Sequence, residues 1–297
     1  MLSNFFKTKP VIDEDSKAWI LDTFAWCITQ LDGDFFKNNS QLILPNNSFF
    51  PGSANSVEEM ANAIFTNTLK YTGLSAWPIR LVAAQSFTQK PMPLLTFSSR
   101  LRGDDAIIRA NNTHSSVNYK VEGKEVLPAI DIAFHQSQLN QPQDLIAYLV
   151  QIQASILVAQ HEANINTNSS SDAYSQNDNY LFPPGGKEVL PQTIDLVACF
   201  MGFGVIFSNT AYQFKGGCGS CNKQSLNRPA ALPELETVYA LALFCVLKGE
   251  TVKPASMKQV KKTLKSHLQK PFRNAVKEIT LYLQQTTNPT YLQLMAI

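Results

Sequence analysis

Few side chains in this 297-residue sequence are placed to do chemistry. His161-Glu162 closes an apolar run, which sets an imidazole beside a carboxylate able to take a proton. Hydrolytic zinc chemistry asks for more: a second His at i+4 on the same helical face, then an acidic ligand from elsewhere, leaving a water in the fourth position. Here the i+4 residue is Ile165. Asp195 lies in the next apolar segment. Glu188, seven residues before it, supplies the acidic ligand only if that helix begins early. Cys218-Gly219-Ser220-Cys221 is a lone C-x-x-C beside two glycines. A redox motif follows a strand and opens a helix, and a zinc knuckle needs a second pair, so a Gly-rich turn with two thiols is the reading. His114, His135 and His267 stand alone and are expected at the surface or at strand ends. Gly202-x-Gly204 lacks the third glycine and the preceding strand of a nucleotide-binding turn, and close helix packing explains it.

The elements that must position these groups are mostly helical. Residues 142–209 read as two long helices, 143–162 and 193–207, joined by a polar loop rich in Asn, Ser, Gly and Pro. Before them, Ser16 opens a helical pattern over 16–36, and 42–45 is a short extended piece. Ser56 with Glu59 three residues on marks the start of a helix that stops at Gly73. From Ile79 the pattern changes to short alternating runs at 79–83, 94–97, 106–109, 117–121 and 128–134, separated by Pro, Gly and Asn. After the central pair come helices at 234–247, 255–268 and 272–285, the last two broken by Pro271. The fold class is therefore α+β: a helical N-terminal segment, a small, mostly antiparallel sheet, and a mainly helical C-terminal half. The change of character near 125–140 divides an N-terminal α+β region, 1–124, from a helical region, 125–297.

An apolar share of 44%, a charged share of 16% and a net charge of +2 describe an ordinary globular chain and give no global argument for nucleic acid. The longest apolar run, 196–207, falls short of the ~18 residues a membrane span needs, and the N-terminus has no signal core, so a cytoplasmic protein with no membrane partner is expected. Of five cysteines, Cys27, Cys199 and Cys245 lie within apolar helical patterns and read as buried thiols. Lys253, Lys258, Lys261, Lys262, Lys265, Lys270, Arg273 and Lys277 make the C-terminal helices basic. Val260, Leu264 and Leu268 recur beneath them at helical spacing, which makes a solvated face the default.

Several stretches also match a pattern: Gln141-Pro142, Leu145-Ile146-Ala147 with Leu149, Ile194-Asp195-Leu196, Gly202-Phe203-Gly204-Val205-Ile206-Phe207, Arg228, and Tyr239-Ala240-Leu241-Ala242. On these residues the chain, over roughly 125–250, resembles a group of bacterial proteins whose core is similar to the gluzincin, or thermolysin-like, zinc metallopeptidases. Counted from Pro142, the resemblance places the H-E-x-x-H slot on residues 151–155, where Gln151, Ile152 and Ser155 stand in place of His, Glu and His. The acidic-ligand slot falls on Pro191, and Asp195 matches a residue that supports a ligand rather than binding metal. The resemblance thus implies a gluzincin-like C-terminal half with a vestigial site and no cofactor. It implies a non-catalytic, metallopeptidase-like protein that works by binding a protein or peptide partner. The alternative is a metal-dependent hydrolase with a rearranged zinc site around His161, Glu162 and Glu188.

Overall fold

The computed structural model describes residues 10–52, 56–93, 95, 129–168, 182–211, 228–249 and 254–295. The expected strands at 106–109 and 117–121, most of that at 94–97, His114, and the Cys218/Cys221 pair lie outside them. Among the described residues ten α-helices and two strands run in the order α1 (Glu14–Gln30), α2 (Gly33–Asn38), α3 (Val57–Thr72), β1 (Ile79–Ala83), β2 (Ile130–Phe134), α4 (Pro142–Asn168), α5 (Leu190–Ala198), α6 (Gly204–Thr210), α7 (Glu234–Leu247), α8 (Pro254–Thr263), α9 (Gln269–Gln285) and α10 (Pro289–Met295).

The strand pair corrects one expectation. β1 and β2 run parallel, with Ile79 opposite Ile130 and Ala83 opposite Phe134. Alternation usually marks an antiparallel strand with one face in water, yet β2 alternates, buried at Ile130, Ile132 and Phe134, within a parallel pair. Direction depends on the connection, and these strands are separated by 46 residues, far from the short turn that would make a hairpin. Mostly helical with a small sheet is the architecture of the described residues.

Helix ends follow local chemistry. Asp13, not Ser16, caps α1: its carboxylate accepts from Ser16 N–H at 2.8 Å. Ser56 caps α3 through Glu59 N–H at 3.1 Å, and Gly73 ends it with φ 76°. The expected single helix over 16–36 is broken because Asp32 takes a left-handed conformation and starts α2 by capping Phe35 N–H. Pro271 sits in the first turn of α9, where its missing N–H costs no hydrogen bond, so it ends nothing.

α7 is apolar on all sides and buried from Thr237 to Cys245, with α9 and α6 packed against it. α5 leads into α6 through a wider turn, Cys199–Phe203, in which Gly202 has φ 98°. The bend lets Gly202 C=O accept from Ile43 N–H at 2.9 Å, so the extended 42–44 segment docks there without joining a sheet. Phe200 stacks on Phe36 at 4.7 Å, and Phe36 meets Phe244 edge-on. The helical stretch Gly186–Thr210 is long and apolar enough to cross a membrane, but 72% of its most apolar window is buried within the fold. One apolar cluster takes residues from α1 through α10 and includes both strands.

Cys27, Cys199 and Cys245 are all buried. Burial raises the Cys245 thiol pKa to about 12 and that of Cys199 higher still, with the Asp195 carboxylate adding to the rise at Cys199. Both thiols are neutral in the folded state while the unfolded chain ionises from about pH 9. The folded state therefore binds more protons above pH 9, and stability falls as pH rises through the window from 9 to 12. The slope is about 1.4 kcal/mol per pH unit for each thiol. Urea titrations at increasing pH are expected to show this loss, and a thiol reagent is expected to label Cys199 and Cys245 only on unfolding. Rapid labelling of both in the folded protein at neutral pH contradicts this packing.

Candidate functional site

The two central helices meet at one carboxylate. Asp195, in α5, is completely buried, and so is Arg228, which enters from the segment before α7. Arg228 Nη1 donates to Asp195 Oδ2 at 3.0 Å. The backbone N–H groups of Ala231 and Leu232 donate to the same oxygen at 2.9 and 3.0 Å. Gln151, from α4, donates through Nε2 to Asp195 Oδ1 at 2.8 Å and to Pro229 C=O at 3.1 Å. Both of those partners are acceptors, so the amide nitrogen must face them. Four donors converge on one carboxylate, about the number its lone pairs accommodate.

Arg228 is tied down on every side. Its Nη2 donates to Phe207 C=O at 3.0 Å and its Nε to Thr210 Oγ1 at 3.2 Å. The guanidinium lies 4.1 Å from the centre of the Phe207 ring. The Phe207 carbonyl is in the last turn of α6, where a cation favours the negative end of the helix dipole. Gln151 and Ala231 are half-buried, so solvent approaches the cluster from their side. Asp144, in the first turn of α4, has its carboxyl pKa raised by burial, while Lys265 and Arg228 pull it the other way. The cluster thus joins α4, α5, α6 and the entry to α7 through a buried, hydrogen-bonded ion pair.

The other residues expected at the site are placed as follows. Ser155 lies one turn beyond Gln151 on α4 and donates its hydroxyl back to Gln151 C=O at 2.9 Å. Ile152 is half-buried against the apolar core. Pro191 is exposed in the first turn of α5. Gln151 and Asp195 are therefore brought together, Ser155 is adjacent along the helix, and Pro191 is on the surface. His161 is 1% exposed, with its ring edge-on to Trp26 at a centroid separation of 5.5 Å. Glu162 is half-buried, and Glu188 is exposed in the short turn Gly186–Val189. Among the described residues no group of three or more His, Cys, Asp and Glu is arranged to hold a metal ion. His135 caps the turn Gln136–Asn140, accepting at Nδ1 from Ser137 N–H at 3.2 Å.

The residues do not fit a zinc centre. Gln151 points its NH₂ group inward, Ser155 spends its hydroxyl on its own helix, proline offers no side-chain donor, and the Asp195 carboxylate already accepts four hydrogen bonds. Arg228 was absent from the expected site set although it matched the motif. The signal that would have found it is a single arginine in an apolar, proline-flanked stretch, since a buried guanidinium needs a buried carboxylate. Searches against protein-family models, curated proteins and solved structures find no match to this chain.

Proposed function

We propose that this protein is a non-catalytic relative of gluzincin metallopeptidases that acts in the cytoplasm by binding a protein or peptide partner. The observation that supports this reading most is the set of four donors on Asp195. The place where the resemblance puts the metal site holds a Gln151–Asp195–Arg228 network in which the carboxylate accepts four hydrogen bonds from within the fold. Such a network rigidifies and specifies packing between helices, and it leaves no basic group positioned to activate water. The residues of the rearranged alternative lie apart in character: His161 is in the core, and Glu188 is on the surface.

The test is proteolysis of unfolded casein and of a mixed peptide pool, with zinc supplied and then removed by chelator. No chelator-sensitive cleavage is expected, and His161→Ala/Glu162→Ala is expected to change neither background cleavage nor zinc content. Because His161 is buried and its replacement disturbs the core, Glu162→Gln serves as a milder companion. Chelator-sensitive cleavage that is lost in Glu162→Gln overturns the proposal in favour of the hydrolase.

A further inference from the structure

The net charge of the chain hides a strong local asymmetry. The twenty residues 258–277 hold seven of the 25 Lys and Arg and none of the 23 Asp and Glu, which leaves eighteen against twenty-three in the rest of the chain. Lys258, Lys262, Lys265, Lys270, Arg273 and Lys277 are exposed. Of the acids that border them, one is held on another element and one reaches into the segment itself. Glu278 pairs with the buried Lys17, and Glu234 pairs with His267 at 3.0 Å. Asp144, which feels Lys265, is half-buried.

On α9 the charges are ordered. Lys270, Arg273, Lys277 and Leu281 fall at i, i+3, i+7 and i+11, one line about 16 Å long at 1.5 Å per residue. Phe272, Ala275, Ile279 and Leu283 form the opposite, buried face. The line of cations ends on Leu281, which at 57% exposure is the most exposed large apolar side chain among the described residues. Leu292, on the neighbouring α10, is exposed as well.

We propose that this outer face of α8 and α9 docks on an anionic phospholipid membrane, with the cations on headgroup phosphates and Leu281 and Leu292 entering the interface. Charge complementarity selects a polyanion, and a basic face with apolar side chains at its end matches lipid-surface binding by amphipathic helices. Nucleic acid is the weaker fit. Phe272, the only Phe, Tyr or Trp between 258 and 277, is buried, and the exposed Tyr282 beside Leu281 is a single ring and not the series of stacking faces that a single strand needs. The surface contains none of the residues that hold the Asp195 cluster, so it stands independently of the reading given for that site.

The experiment is flotation of the full chain with phosphatidylcholine vesicles, with and without phosphatidylserine, at low and high salt. Binding is expected only with phosphatidylserine and is expected to weaken with salt. Lys270→Gln/Arg273→Gln/Lys277→Gln should reduce the partition coefficient on the order of 100-fold, since each cation contributes severalfold. These side chains are solvent-exposed, and circular dichroism and thermal melting verify that the variant folds. Leu281→Ser should weaken binding severalfold without altering its salt dependence. Overturning results are no binding to phosphatidylserine vesicles, undiminished binding of the triple variant, or binding to an oligonucleotide or polyglutamate in place of vesicles.

Discussion

Asp195→Ala is expected to destabilise the protein by about 3–5 kcal/mol, the usual cost of removing one partner of a buried ion pair. Arg228 would keep its charge in a site where its side chain is 1% exposed, beside the neutral Phe207 carbonyl, Thr210 hydroxyl and Phe207 ring. The N–H groups of Ala231 and Leu232 would lose their acceptor as well, and the Gln151 amide would keep only the Pro229 carbonyl of its two. Urea denaturation measures the loss as a lowered midpoint at unchanged slope. Asp195→Asn keeps the shape and one acceptor oxygen and should lose less. Asp195→Leu with Arg228→Met should lose less than the two single changes together, because the stranded charge is gone, and a double-mutant cycle isolates that coupling. A loss below about 1 kcal/mol for Asp195→Ala is incompatible with a closed ion pair.

Gly202→Ala is expected to cost about 4 kcal/mol or more, for two separable reasons. At φ 98° any Cβ is strained, by about 1–3 kcal/mol. The added methyl would also stand 2.1 Å from Gln41 C=O, a backbone atom held in place because Ile43 N–H bonds to the Gly202 carbonyl. Gly186→Ala is the control: its φ of 65° carries strain, but nothing lies within 4 Å of the added carbon. Thermal melting should show a loss for Gly202→Ala well beyond that for Gly186→Ala. Equal losses would mean that backbone strain alone matters and that the 41–43 segment gives way freely.

The sequence made some of this visible and concealed the rest for physical reasons. α3 and α7 were legible because local chemistry defines them: Ser56 and Gly73 bound one, and an unbroken apolar run from Val238 to Leu247 marks the other. Gly204 was legible as a packing residue, and a Cβ there would come within 2.9 Å of Leu241 on α7. The direction of the β1–β2 pair was not legible, because alternation reports burial and not pairing. The break at Asp32 was missed because apolar spacing runs through it, and its left-handed backbone leaves no trace in periodicity. At the candidate site, the α4 and α5 register led to Gln151 and Asp195, which do meet. Arg228 escaped because it is far from both in sequence, and only the folded chain brings its guanidinium to that carboxylate.

Metal analysis of the purified, untagged protein tests most directly whether this cluster is a structural hub and not a metal centre. Zinc well below one equivalent is expected, with a melting temperature that a strong chelator leaves unchanged. Stoichiometric zinc that departs with chelator and takes the melting temperature down with it would contradict it.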